Sequence, residues 1–271
     1  MHAARIAELL APYINPATDQ RLTTDDLQHI STYIDILQRW NARINLTAIR
    51  NEEEIVTRHF GESLFAAQHL FPGARAHVGT APLACPAERS LAASADPLTP
   101  HIEDRHNRGR AALKGPRSGG QAQGASAPAV ADIGPGAGFP GIPLKLWAPE
   151  IRLTLIESNH KKAIFLRELT RALILTDINI QNARAETLKE EFDVVTLRAV
   201  ERFETILPIA ASRVAPAGRL ALLIGTAQLR QAHSTLPAIA WSDPNPIPQS
   251  QSRVLLLGTK PSAQPSGDEP R

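Results

Sequence analysis

The stretch Asp132-Ile-Gly-Pro-Gly-Ala-Gly-Phe-Pro-Gly141 decides the fold of this chain. The short apolar run Ala129–Ile133 leads into it and predicts a buried strand, and a helix is expected to follow. Gly134, Gly136 and Gly138 let the backbone turn tightly and lie against a ligand with no Cβ in the way. A strand, a glycine turn and a helix in this order are typical of a nucleotide-binding site.

After the glycine turn the chain alternates between strand and helix patterns. Further strands are predicted at Ile151–Glu157, Asp177–Ala183, Asp193–Leu197 and Gly218–Ile224, and near Pro237–Trp241 and Arg253–Gly258. Helices are predicted at Asn159–Leu173, Phe203–Val214 and Gln228–Ser234. This alternation predicts an α/β fold over residues 129–271, with a doubly wound, mostly parallel, seven-stranded sheet of the Rossmann-like kind.

Two further parts precede this domain. Residues 1–72 predict a small N-terminal helical region, with one helix capped by Thr23 or Thr24 and another that opens at Asn51 and stops at Pro72-Gly73. Residues 73–128 are rich in Ala, Gly and Pro and show no period of 2 or 3.6. We expect this low-complexity insert to be disordered, because it cannot bury enough apolar surface to offset its ordering entropy.

Composition excludes several classes of protein. A net charge of +2 over 271 residues does not indicate a strongly basic nucleic-acid-binding protein. The single cysteine, Cys85, excludes a disulfide framework, and no metal site is expected. Arg5 and Glu8 interrupt the apolar start, so we expect no signal-peptide hydrophobic stretch there. No apolar run approaches the length of a membrane span. We therefore expect a cytoplasmic protein that has no membrane contact. A monomer is our expectation for its oligomeric state.

The residues around the glycine turn narrow the choice of cofactor. Glu157 ends the second strand, where a carboxylate can accept hydrogen bonds from both ribose hydroxyls of an adenosine. Ala185 and Glu186 follow the third strand, where an acid or a backbone amide can meet the adenine edge. The cofactor-binding residues predicted from position alone are thus Gly134, Gly136, Glu157, Ala185 and Glu186.

Two cofactors and an empty turn remain possible from these residues. Residues 136–141 also fit G-x-G-x-x-G, the fingerprint of NAD-type dinucleotide sites. Asp132, two residues before the first glycine, favours S-adenosylmethionine instead. Pro140 and Pro143 remove N–H donors that a pyrophosphate would use, and S-adenosylmethionine carries no phosphate. We favour S-adenosylmethionine over NAD, and either over a glycine turn without a ligand.

Several longer motifs carry a family resemblance. They are residues 40–47 (Trp-Asn-Ala-Arg-Ile-Asn-Leu-Thr), 58–64 (Arg-His-Phe-Gly-Glu-Ser-Leu), 132–143, 155–162 (Leu-Ile-Glu-Ser-Asn-His-Lys-Lys), 182–186 (Asn-Ala-Arg-Ala-Glu) and 196–199 (Thr-Leu-Arg-Ala). With them the chain resembles the bacterial 16S ribosomal RNA guanine-N7 methyltransferases of the RsmG (GidB) family. The resemblance covers residues 24–72 and 129–260, nearly everything outside the insert.

The resemblance implies a fold, an activity and site residues. It implies the S-adenosylmethionine-dependent methyltransferase fold, and methyl transfer to N7 of a guanine in 16S ribosomal RNA, presented naked or in the small subunit. By resemblance, Gly134 and Phe139 line the cofactor pocket, Ala185 and Glu186 flank the adenine, and Arg198 borders the site. The chain departs from the family at Glu62, where an aspartate is usual, and in the length of the insert.

The chemistry of guanine N7 explains why no catalytic residue is assigned. N7 has an in-plane lone pair and no proton, so the nucleophile needs no general base, and catalysis rests on alignment. The alternatives are an NAD(P)-binding oxidoreductase and a methyltransferase acting on a small molecule. The first would need an acid–base pair such as Tyr-x-x-x-Lys, which the sequence lacks. The second would need a lid, for which the insert is a poor candidate.

Overall fold

The computed structural model describes residues 1–15, 22–74, 127–199 and 202–262. Its α-helices are α1 (Ala3–Leu10), α2 (Thr24–Asn41), α3 (Glu52–Glu54), α4 (Glu62–Leu70), α5 (Gly141–Trp147), α6 (His160–Ala172), α7 (Phe203–Ser212) and α8 (Leu229–Thr235). Its strands are β1 (Ala129–Ile133), β2 (Arg152–Ile156), β3 (Ile178–Gln181), β4 (Phe192–Arg198), β5 (Val214–Gly225), β6 (Ala240–Trp241), β7 (Asn245–Pro246) and β8 (Arg253–Thr259).

The strands form one sheet in the order β3-β2-β1-β4-β5-β8-β6. Strands β1 to β5 run parallel, and β8 runs antiparallel between β5 and β6. The prediction of a doubly wound, mostly parallel α/β sheet is confirmed. The two-residue strand β7 pairs with β8 beside this seven-strand path and was not predicted, because a run ending in Pro246 has no strand pattern to detect.

The order of the strands fixes where a ligand can bind. From β1 the chain crosses to β2 and β3 on one side, and then returns to place β4 and β5 on the other side. The connections that follow β1 and β4 therefore diverge, and a crevice opens at the carboxyl ends of these strands. The glycine turn lies at this point, directly after β1.

Local signals set the N-terminal helices as expected. The Thr23 side chain accepts a hydrogen bond from the Asp26 amide, and the Asp26 carboxylate accepts one from the Thr23 amide, which makes a capping box for α2. The Asn51 side chain caps α3 through the Glu54 amide. Between α3 and α4 the segment Ile55–Gly61 is a π-helix, which the helical pattern did not predict.

These helices share a hydrophobic core with one side of the sheet. The described residues of the N-terminal part, up to residue 74, and those of 127–262 form one compact unit, in which buried side chains of α2 and α4 belong to the same cluster as those of β1, β2 and α6. The Trp40 ring meets the Phe165 ring edge-on, with centroids 5.9 Å apart. Trp40 therefore packs a helix of the N-terminal region against the domain.

Two element boundaries differ from the prediction. The predicted helix Phe203–Val214 ends at Ser212, and β5 begins at Val214, earlier than predicted.

Except for residues 73–74 and 127–128, the predicted insert lies outside the described residues. Among the helices of the described part, none is long and apolar enough to cross a bilayer.

Candidate functional site

A cavity of about 470 Å³ opens at the carboxyl ends of the parallel strands. Its walls come from the segments that follow β1, β2, β3 and β4. They comprise Ile133, Gly134, Gly136, Ile156, Glu157, Ser158, Asn159, Lys162, Ala183, Arg184, Ala185, Glu186, Ala199, Arg202, Thr205 and Ile206. Five of the seven predicted cofactor-binding residues, Gly134, Gly136, Glu157, Ala185 and Glu186, are thus brought together.

The glycine turn forms the wall next to β1. Gly136 has a φ of +56°, a conformation that side chains rarely adopt, and nothing lies within 4 Å of the position its Cβ would take. That open space faces the cavity, so a ligand can lie directly against the backbone. Gly138 has a φ of +93°, and a Cβ there would stand 2.3 Å from the Tyr33 hydroxyl oxygen. The turn therefore needs glycine at 136 for the cavity and at 138 for its packing.

The Asp132 side chain stabilises the glycine turn through buried hydrogen bonds. Its side chain is fully buried and accepts hydrogen bonds from the Gly141 amide (2.7 Å) and the Thr196 hydroxyl (3.0 Å). Burial raises the pKa of Asp132 to about 7, against these hydrogen bonds, which lower it. Because it is buried, Asp132 supports the turn and the start of α5 instead of contacting a ligand.

Glu157 follows β2 directly and lies beside the glycine turn, in the wall of the cavity. Its carboxylate accepts hydrogen bonds from the Gly136 amide (3.1 Å) and the Asn159 amide (2.8 Å). The side chain is 5% exposed and borders the cavity. Each carboxylate oxygen has about two lone-pair sites, so both can accept a further hydroxyl donor. Glu157 thus ties the glycine turn to the β2 end and retains acceptor capacity toward the cavity.

The far wall follows β3. Ala185 and Glu186 lie on a short 3-10 turn, Ala185–Thr187, with Ala185 buried and Glu186 exposed at the rim. Asn182 donates from its side-chain amide to the Glu157 carbonyl oxygen at 2.8 Å. This contact holds the segment after β3 against the segment after β2, so the two walls keep their spacing.

Sequence reasoning missed three cationic side chains in the walls, those of Lys162, Arg184 and Arg202. Lys162 and Arg184 lie inside motifs that carried the family resemblance, so their positions were available but unused. Arg202 had no such signal, because it lies outside these motifs. In the structure it precedes α7 and has a φ of +56°. The three cations make the rim of the cavity locally basic in a chain whose net charge is only +2.

Phe139 and Arg198, which the resemblance placed at the cofactor pocket, do not form part of its walls. The Phe139 ring lies between the rings of Tyr33 and His59, at centroid distances of 5.1 Å and 4.7 Å. Its side chain therefore leaves the turn on the side of the N-terminal helices. The neighbour of Arg198, Ala199, lines the cavity in its place.

Arg198 takes part in a buried ion cluster. The Glu62 carboxylate accepts from Arg198 at 3.0 Å and from Arg253 at 2.9 Å, and the Arg198 guanidinium also donates to the Arg58 carbonyl oxygen. Burial lowers the pKa of Arg198, and the Glu62 carboxylate opposes that change. The residue at which the chain departs from the family therefore makes a close contact that joins α4 to β4 and β8.

The N-terminal motif is used for internal contacts. The Asn41 side chain accepts from the amides of Leu46 and Thr47 and donates to the Thr47 carbonyl oxygen. The Thr47 hydroxyl lies 2.8 Å from His59 Nε2. Burial, and then Arg198, lower the pKa of His59 to about 3, so its ring is neutral near pH 7 and cannot serve as an imidazolium acid.

The chain matches a known protein family. The model of the GidB family, described as rRNA small subunit methyltransferase G, matches residues 26–81 and 120–245. The chain belongs to this family. The matched residues include the whole cavity wall and most of α2 and α4. The predictions of the family, of methyltransferase activity and of S-adenosylmethionine as cofactor are confirmed by this membership.

Individual relatives agree with the family match. The chain is 34% identical to the ribosomal RNA small subunit methyltransferase G of Roseiflexus sp. (strain RS-1), over 69% of this chain and 59% of that relative. It is 29% identical to that of Roseiflexus castenholzii, over 91% of this chain and 88% of the relative. Among solved structures, the ribosomal protein L11 methylase of Lactobacillus delbrueckii subsp. bulgaricus gives a TM-score of 0.43 at 17% identity, covering 51% of this chain and 72% of that one. The family assignment rests on the sequence matches.

The described residues also lack the side-chain groups that a metal site needs. Within the residues described, no group of three or more His, Cys, Asp and Glu side chains could hold a metal ion. The acidic groups of the cavity, Glu157 and Glu186, stand beside cationic and amide groups instead.

Proposed function

We propose that this chain transfers the methyl group of S-adenosylmethionine to N7 of a guanine in 16S ribosomal RNA. The observation that carries the proposal is the cavity at the switch point of the sheet, where Glu157 faces a glycine turn. We also propose that the chain acts as a monomer in the cytoplasm, where its ribosomal substrate is made.

The walls of the cavity fit S-adenosylmethionine. The open space beside Gly136 admits a ligand against the backbone, and the free lone pairs of Glu157 suit two ribose hydroxyls. The turn at Ala185 and Glu186 offers a partly apolar wall for the adenine. When bound, the cofactor supplies an electrophilic methyl group on a sulfonium centre.

An NAD-type cofactor fits the same cavity less well. A pyrophosphate would need free amides at the start of the helix that follows the glycine turn. The first amide of α5, that of Gly141, already donates to Asp132, and Pro143 contributes no N–H. The start of α5 is therefore closed to a phosphate, which favours a cofactor without one.

The protein's part in methyl transfer is to hold and orient. Guanine N7 attacks with its own lone pair, so no side chain has to remove a proton. The exposed cations Arg184 and Arg202 and the half-buried Lys162 stand at the rim, where phosphates of an RNA strand would pass on entering the cavity. A base in folded RNA must be exposed before it can enter, so the shape of the RNA contributes to recognition.

The test is a map of the modified base. The chain is incubated with labelled S-adenosylmethionine and either naked 16S ribosomal RNA or small subunits from a strain lacking the enzyme. N7-methylguanine carries a positive charge and is cleaved by borohydride and aniline, so the product gives strand scission. We expect a single new scission site, which the Gly136→Asp variant fails to produce. Label on small molecules or on protein alone would contradict the RNA acceptor.

A further inference from the structure

The glycine turn of the cofactor site is bound to a helix distant in the sequence. The hydroxyl group of Tyr33, on α2, donates a hydrogen bond to the carbonyl oxygen of Ala137 at 2.5 Å. Tyr33 is fully buried, so water cannot replace this bond. Burial also raises the pKa of Tyr33 well above its usual value, which keeps the hydroxyl protonated and able to donate.

A stack of rings strengthens the same connection. The Phe139 ring lies nearly parallel to Tyr33 (9°) and to His59 (21°), and Phe60 meets it edge-on at 5.0 Å. On the outer side of the stack, His59 is held by the hydroxyl of Thr47. The residue after Gly138 is thus clamped by side chains from two segments of the N-terminal region.

The turn is consequently held from two sides. Glu157 binds its Gly136 amide on the cavity side, and Tyr33 binds its Ala137 carbonyl on the opposite side. A segment with three glycines at positive φ has many alternative conformations, so its ordering needs such contacts. If one contact is lost, a smaller fraction of the molecules holds the conformation that accepts a ligand, and the apparent affinity falls by that fraction.

We infer that Tyr33 is a positioning residue for S-adenosylmethionine, acting through the Ala137 carbonyl on the turn that lines the cofactor cavity. The inference rests on the proposed cofactor site. It gives the N-terminal helical region a part in cofactor binding, besides any part in RNA recognition. Tyr33 itself does not line the cavity.

The test compares two tyrosine variants of the full chain. Tyr33→Phe removes the hydroxyl and keeps the ring. Tyr13→Phe is the matched control, because Tyr13 is also buried in the N-terminal region but packs its ring against Gly61. Affinity for labelled S-adenosylmethionine is measured by equilibrium dialysis at a temperature where thermal melting shows each variant to be folded.

We expect Tyr33→Phe to raise the dissociation constant about two- to tenfold, the range set by one neutral hydrogen bond, and Tyr13→Phe to leave it unchanged. In steady-state assays on small subunits, KM for S-adenosylmethionine rises while kcat and KM for the subunit stay the same. A purely structural role would lower the melting temperature without this selective change in KM.

Two further measurements keep the inference open to refutation. Amide exchange of residues 134–139 in the absence of cofactor should be faster in Tyr33→Phe than in the control. Should Tyr33→Phe not fold, Thr47→Val replaces it and loosens the stack at His59, with Thr47→Ser as the variant that keeps the hydroxyl. Wild-type affinity in a folded Tyr33→Phe protein overturns the inference, and wild-type affinity in Thr47→Val overturns the part of it that rests on the ring stack. Absence of binding by the unaltered chain would instead contradict the proposed cofactor site.

Discussion

Replacing Glu157 by alanine tests the cofactor site most directly. The carboxylate is almost fully buried, accepts from the amides of Gly136 and Asn159, and borders the cavity. The Ala variant therefore removes a charged acceptor that both shapes the glycine turn and faces the proposed ribose hydroxyls. The backbone contacts of β2 with β1 and β3 do not involve the side chain, so we expect the fold to persist.

The expected loss can be estimated from hydrogen bonds to a charged group. Such bonds contribute about 1.5–3 kcal/mol each, and a loss of that size weakens affinity roughly ten- to hundredfold. Glu157→Gln keeps one oxygen acceptor but places an amide donor where the other oxygen met a backbone N–H. We therefore expect the affinity for S-adenosylmethionine to fall in the order wild type, Gln, Ala.

Calorimetric titration with S-adenosylmethionine measures this order. Glu168→Ala is the control, because Glu168 is an exposed glutamate on α6, away from the cavity. Urea unfolding of each variant shows whether a lost affinity reflects a lost fold. Wild-type affinity in a folded Glu157→Ala protein would refute the assignment of the ribose site to this carboxylate.

Three other outcomes follow from the described contacts. Burial raises the pKa of Asp132 from 3.8 to about 7, so the folded state binds the proton more tightly and this group's contribution to stability is lost as pH rises through that interval. The free energy of unfolding of Asp132→Asn, measured in urea relative to wild type, should thus increase from pH 4 to pH 7; a constant difference would contradict the buried, titrating carboxyl. Glu62→Gln leaves two guanidinium groups without their buried partner and should lower the free energy of unfolding by about 3–5 kcal/mol, whereas the exposed Glu54→Gln should change it little. Replacing residues 75–126 by a Gly/Ser linker should preserve the affinity for S-adenosylmethionine, because the cavity walls seen in the described part lie outside that range; a lost affinity in equilibrium dialysis would assign the insert a part in the site.

The parts of the fold that local chemistry determines could be predicted from the sequence. The cap at Thr23, the cap at Asn51 and the strand before Gly134 all depend on residues within a few positions of one another. The π-helix Ile55–Gly61 could not be predicted in this way. Its sequence continues a helical pattern, and the wider turn is decided by how its side chains pack against distant segments.

The same distinction divides the candidate site. Glu157 was predicted because the end of a parallel strand fixes where its side chain lies, whatever the rest of the fold does. The side chain of Phe139 could leave the turn toward the cavity or toward the helices, and only the positions of Tyr33 and His59 decide between the two. The direction of the Arg198 side chain is likewise decided by its ion pair with Glu62, a residue far away in the sequence.

The internal contacts of the N-terminal motif also bear on where RNA binds. Asn41, Thr47 and the Nε2 atom of His59 make hydrogen bonds within the chain, and Arg50 donates to the Asn41 carbonyl oxygen and the Asn45 side chain. Redirecting such groups to RNA would leave their present partners without hydrogen bonds, at a cost comparable to what the new contact gains. The binding of exposed cations to phosphates carries no such cost. Because the net charge of the chain is only +2, these contacts depend on local groups of cations and not on the charge of the whole chain. We therefore propose the basic rim of the cofactor cavity, and not the N-terminal motif, as the place of phosphate contacts.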